Sequence, residues 1–91
     1  MRFERTIGGR GTAPGRFQEP WGVGVCPGRN LLIVSEREGK RLQVLTLEGV
    51  PLQVLPLNSG LARLCVGINR VWVTDVSAHK VHVLEMSVDW L

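Results

Sequence analysis

A chain of 91 residues, 44% hydrophobic, 21% charged and 5% aromatic, is long enough for one small domain and too short for a multidomain enzyme. No apolar run approaches the roughly 20 residues that cross a bilayer as a helix, and Met1-Arg2-Phe3-Glu4-Arg5 does not open an apolar signal core; the expectation is a cytoplasmic protein with no membrane partner. A net charge of +3 is well short of a committed nucleic-acid domain, and two cysteines, Cys26 and Cys65, exclude a disulfide scaffold and lack CxxC zinc spacing.

Thirteen Val, twelve Leu and three Ile fall in short alternating segments divided by eleven Gly and five Pro, which is the pattern of an all-β chain. Predicted strands, in chain order, cover residues 3–7, 22–26, 31–36, 41–47, 52–57, 62–66, 70–75 and 80–86. Between them lie the glycines and Pro14 of 8–15, Pro27-Gly28, Gly39, Gly49 with Pro51, Asn58-Ser59-Gly60, and Gly67 with Asn69. Eight strands leave no room for a helix of ordinary length.

The charge is uneven. Residues 1–45 carry eight basic and four acidic side chains, and residues 46–91 carry three and four. Arg10, Arg16, Arg29, Arg37, Lys40 and Arg41 mostly sit in predicted loops, where they are solvated in any fold; a nucleic-acid face usually adds stacking aromatics, and here Tyr is absent.

Shifted by 39 residues, LLIVSEREGKRLQVL (31–45) falls on RVWVTDVSAHKVHVL (70–84). Val34, Val44 and Leu45 recur as Val73, Val83 and Leu84; Glu36 becomes Asp75, Arg41 becomes Lys80, and Cys26 falls on Cys65. A period near 40 residues with four short strands per unit is the size of a β-propeller blade.

The stretch RFERTIGGRGTAPGRFQEPWGVGVCPGRNLLIVSEREGKRLQVLTLEG resembles an NHL repeat with its lead-in: Ile-Gly-Gly and a Gly-rich loop, then Gly15, Phe17, Pro20, Gly22 and Val23, then Val34-Ser35-Glu36 and Arg-Leu-Gln-Val at 41–44. Residues 61–86 match through Val73, Thr74, Asp75, Lys80, Val81 and Val83 and lack the Pro-x-Gly-Val entry. Gly39 and Ala78 stand where the family favours Asn ahead of the basic residue. The resemblance implies about two four-stranded antiparallel blades of a propeller in a single segment spanning 1–91: unit one at about 17–57 with the lead-in strand 3–7, unit two at about 61–86, and a tail at 87–91. Gly22, Glu36, Arg41, Asp75 and Lys80 are its structural repeat positions.

Two blades close no ring. The second unit ends at its third strand, and 3–7 is similar to a blade's last strand, so the N-terminus is a candidate donor of the missing strand. Closure requires either the remaining blades of a longer chain, the preferred expectation, or about three copies of this one.

Residues 8–15 spell neither GxxxxGK[ST] nor GxGxxG and precede no helix, so an inter-blade connection needing positive φ explains the glycines better than a phosphate loop does. His79 and His82, three apart, face opposite sides of a continuous strand and do not jointly hold a metal; His82 matches Gln43 and reads as a polar edge residue. Cys26 and Cys65 read as small buried hydrophobes on an inward-looking strand. Glu36 and Asp75 read as turn acids, with Arg41 and Lys80 as their basic partners. Trp21 is either a partner anchor or packed beneath the Gly-rich loop, Trp72 reads as inter-blade core, and Trp90 as a tail contact or an exposed remnant.

The expected function is that of a non-enzymatic binding or scaffolding module with no cofactor or metal, its partner a protein, with Arg10, Arg16, Trp21, Arg29 and Arg37 most available to it. RNA binding by the N-terminal basic residues is the alternative. Further alternatives are a piece of a propeller enzyme resembling an amidating lyase or lactonase, or of an NHL-containing ubiquitin ligase; the chain itself carries neither converging metal ligands nor a RING-type cysteine cluster.

Overall fold

In the computed structural model, which describes residues 1–86, every regular element is an antiparallel strand. Strands β1 (Pro20–Cys26), β2 (Leu31–Glu36), β3 (Arg41–Thr46) and β4 (Pro51–Pro56) form a four-stranded meander; β5 (Leu61–Val66), β6 (Arg70–Asp75) and β7 (Lys80–Glu85) form a three-stranded one. No helix long and apolar enough to cross a membrane occurs among the described residues.

Seven of the eight predicted strands form, with ends within two residues of those expected. The exception is 3–7, which forms no strand. Its Arg5 guanidinium donates to the Leu47 carbonyl at 2.7 Å and Ile7 lies against Gly49, so this segment meets a hairpin tip rather than a strand edge. It does not pair with β7, and among the described residues the second sheet keeps three strands.

Alternation gives each sheet two faces. On the front face of the first sheet, Val23 pairs with Val34 and Val25 with Leu32; on its back face Gly24 pairs with Ile33 and Cys26 with Leu31, and Leu42 and Val44 continue the back face on β3. That back face packs on the front face of the second sheet, bringing Cys26, Leu31, Ile33, Leu42 and Val44 into one core with Leu61, Val71 and Val73. Complete burial of side chains such as Ile33 or Leu61 stabilises the pair of sheets by about 1.5–3 kcal/mol each. A smaller core on the opposite side joins Val34 and Leu45 to Phe17, with Ile7 and Leu32 against them.

The inner strands approach most closely. A Cβ on Gly22 would lie 2.6 Å from the Ala62 carbonyl oxygen, and one on Gly24 would lie 2.6 Å from a Val66 methyl. The Ser35 hydroxyl completes this seam, accepting from Gly22 N–H at 3.0 Å and donating to the Ala62 carbonyl of the second sheet.

The two units share more than sequence. Thr74, which aligns with Ser35, accepts from Arg63 N–H at 3.0 Å as Ser35 does from Gly22. The first strands are nevertheless displaced by two residues relative to the 39-residue repeat. Residues 27–30 separate the closing pair Cys26 and Leu31, whereas only Ile68 and Asn69 separate Gly67 from Arg70, which accepts its N–H at 2.8 Å. Cys65 therefore lies opposite Trp72, in the place Gly24 holds opposite Ile33, and is not the structural counterpart of Cys26.

Cys26 is buried by the second sheet, but among the described residues nothing covers the back face of that sheet, and Cys65 is exposed rather than buried. On the same face Trp72 is exposed and joins no core within the described residues. Trp90 lies outside the described residues.

Candidate functional site

Alternate ends of the strands gather two sets of loops. One end carries 18–19, 37–40, 57–60 and 76–79; the other carries 27–30, 47–50 and 67–69. The first end is organised by a buried polar cluster. Glu36, the last residue of β2, is fully buried and accepts from Arg41 Nε at 2.6 Å, Gln43 Nε2 at 2.9 Å and Gln18 N–H at 2.8 Å. An ionised carboxylate at this depth requires such partners, because an unpaired buried charge is strongly destabilising.

Arg41 also donates to the Thr12 and Arg16 carbonyls at 2.8 and 3.0 Å, and Gln43 spans the same loop, donating to the Arg16 carbonyl at 2.6 Å and accepting from Gly15 N–H at 2.9 Å. Through these bonds the Gly-rich segment is stapled over the front of the first sheet. Gly8 and Gly15 adopt φ of 87° and 88°, the conformation expected of a connection.

The stapled loop delivers the chain to β1 through Glu19, whose carbonyl accepts from Arg37 N–H at 2.9 Å. The register shifts between Pro20 and Gly22, leaving Trp21 as an irregularity at the strand entry. Trp21 is half exposed, and the Arg37 guanidinium carbon lies 5.0 Å from its ring centroid, a cation–π geometry. Glu19, Arg37, Glu38 and Lys40 surround a shallow depression with Gly60 and Ser77 beside them.

Of the five residues expected to face a partner, Trp21 and Arg37 are brought together. Arg10 stands nearby, lining a hollow with Glu19, Pro20 and Glu38. Arg16 folds its side chain across Gly9 and Gly11. Arg29 is at the opposite end, where it donates to Asn69 at 2.8 Å.

In the second unit the acid of the repeat is hydrogen-bonded differently. Asp75 accepts from the Ser59 hydroxyl at 2.6 Å, the Ala78 N–H at 2.9 Å and His82 Nε2 at 2.7 Å. The Ser59 hydrogen bond, then that of His82, outweighs burial and lowers the Asp75 pKa from 3.8 to about 2. Lys80, the expected basic partner, is replaced in that role by His82. His82 is thus a ligand of Asp75 and not a free edge residue, and His79 sits in the 76–79 turn at φ 57°. No group of three His, Cys, Asp or Glu that could hold a metal ion occurs among the described residues.

Compared with known proteins, the chain is matched by no family model and by no curated sequence.

Gln43 is the position that sequence reasoning left unread. It lies within Arg-Leu-Gln-Val, on a strand where its neighbours are buried, and an amide there must find partners on both its atoms. Ser35 and Thr74, which the sequence offers only as matched repeat positions, carry equivalent hydroxyl bonds to the first strand of each sheet.

Proposed function

We propose that this chain is an NHL-type β-propeller segment that serves as a non-enzymatic protein-binding or scaffolding module, and that it binds its partner at the end of the sheets carrying Trp21 and Arg37. The observation that carries this reading is the half-exposed Trp21 with the Arg37 guanidinium over its ring, Arg37 in turn lining a depression with Glu19, Glu38 and Lys40. Tryptophan and arginine dominate binding hot spots because they bury much area while keeping polar donors at the edge. The mixed signs of the rim favour a polypeptide over a polyanion: two carboxylates flank the cation that RNA would need, and Arg16 and Arg29 point elsewhere. A one-sheet unit that occurs twice with matched hydroxyl bonds supports the propeller reading.

The test pans a random-peptide library and a random single-stranded RNA pool against the whole chain. Peptides are expected to be enriched, with affinity reduced at least about tenfold in Trp21→Ala and Arg37→Ala, unchanged in Arg29→Ala, and insensitive to moderate salt. RNA capture that falls steeply with salt and disappears when Arg10, Arg16 and Arg37 are replaced together would overturn the reading in favour of an RNA-binding face. Peptide binding indifferent to Trp21→Ala would remove the site.

A further inference from the structure

The seam inside the chain has two sides, and residues equivalent to part of each side stand exposed on the surface. Its first side is the back face of the first sheet; the repeat-equivalent back face of the second sheet is exposed among the described residues. Ile33, Leu42 and Val44 are 1%, 4% and 8% exposed within the seam, whereas their counterparts Trp72, Val81 and Val83 are 40%, 59% and 56% exposed. Its other side is the front face of the second sheet, where β5 contributes Leu64 and Val66. Their counterparts on the front of the first sheet, allowing for the two-residue displacement of β1, are Val23 and Val25, and both are exposed.

Beside Val23 an apolar hollow opens, lined by Ile7, Phe17, Trp21, Leu32 and Val34. The described residues thus present two unlike apolar patches, one equivalent to the Ile33, Leu42 and Val44 side of the seam and one to the Leu64 and Val66 edge of its other side, while Val34 and Leu45 on the same front face already lie under Phe17.

We propose that the chain associates with a second copy of itself head to tail, the Trp72, Val81 and Val83 face of one copy seating on the Val23, Val25 and Ile7 face of the next. Contiguous apolar surface of this kind marks an interface. Because the two faces are unlike, a single contact uses one face on each copy and leaves the complementary pair free to bind further copies. The inference rests on the two-unit reading of the chain; its front face shares Trp21 with the partner site, and Arg37 is the residue that separates the two.

The test blocks each face separately. Val83→Arg places a charge in the middle of the back face, and Val23→Arg does so on the front face; both positions are exposed, so the fold is retained, which circular dichroism checks. By light scattering and sedimentation equilibrium at high micromolar concentration, the wild-type chain is expected to exceed its 10.1 kDa monomer mass. Each variant alone is expected to be monomeric, while their equimolar mixture forms a dimer and nothing larger, since it retains one intact face of each kind.

A wild-type chain that stays monomeric would overturn the proposal, leaving these faces to another polypeptide. Association that survives in one variant alone, or a mixture that stays monomeric, would also overturn it. Arg37→Ala is expected to leave association unchanged, so a failure here and a failure of the partner site are read separately.

Discussion

Glu36 and Asp75 hold the same place in the two units, yet only Glu36 is paired with the basic residue five positions on. The difference lies in what pins the base. Arg41 is fixed by carbonyls of the 12–16 loop, and among the described residues no comparable loop overlies β7; Lys80 is exposed while His82 reaches Asp75. The Glu36–Arg41 pair was legible from the spacing across a four-residue turn. The His82 bond was not, because it depends on a loop that one unit has and the other lacks.

Asp75 is held below its ordinary pKa of 3.8 in the folded chain, so its stabilising contribution is complete above about pH 4 and is lost as the pH falls toward about 2. In thermal melts of wild type and Asp75→Asn, the difference in Tm is expected to be full at pH 5 and to narrow steadily down to pH 2.

At the scale of strands, periodicity located seven elements because each has one face against a neighbour, which forces alternation or, in doubly covered β2, a continuous apolar run. Residues 3–7 carry a strand-like pattern without a partner edge, and composition cannot report a missing partner. The two-residue displacement of β1 was equally hidden, since a shift by two keeps every side chain on its face and leaves the hydrophobic pattern unchanged.

Gly22 was legible as a repeat position, but its reason is the adjoining sheet. With the Ala62 carbonyl oxygen and the Ser35 hydroxyl in the way of a Cβ, Gly22→Ala must push the two sheets apart. Urea denaturation at low protein concentration is expected to show a loss of about 1–3 kcal/mol, the usual cost of overpacking.

For the molecule as a whole, burial of Cys26 and exposure of Cys65 make the two thiols reporters of opposite faces of the second sheet's environment. A maleimide followed by mass spectrometry is expected to modify Cys65 at least about a hundredfold faster than Cys26 in dilute protein, because Cys26 reacts only when the sheets separate. At concentrations where copies associate, Cys65 is expected to slow as well, since it lies opposite Trp72 on the seating face.

The seam within the chain is closed tightly by Gly22 and Gly24, and the structurally equivalent places on the second sheet are taken by Arg63 and Cys65. A contact between copies therefore stands wider than the contact within one. If such contacts close on themselves, narrow and wide seams alternate around the axis. Rotational symmetry is then set by the number of chains and is half what the number of sheets suggests, so any ligand on that axis meets a lining repeated once per chain.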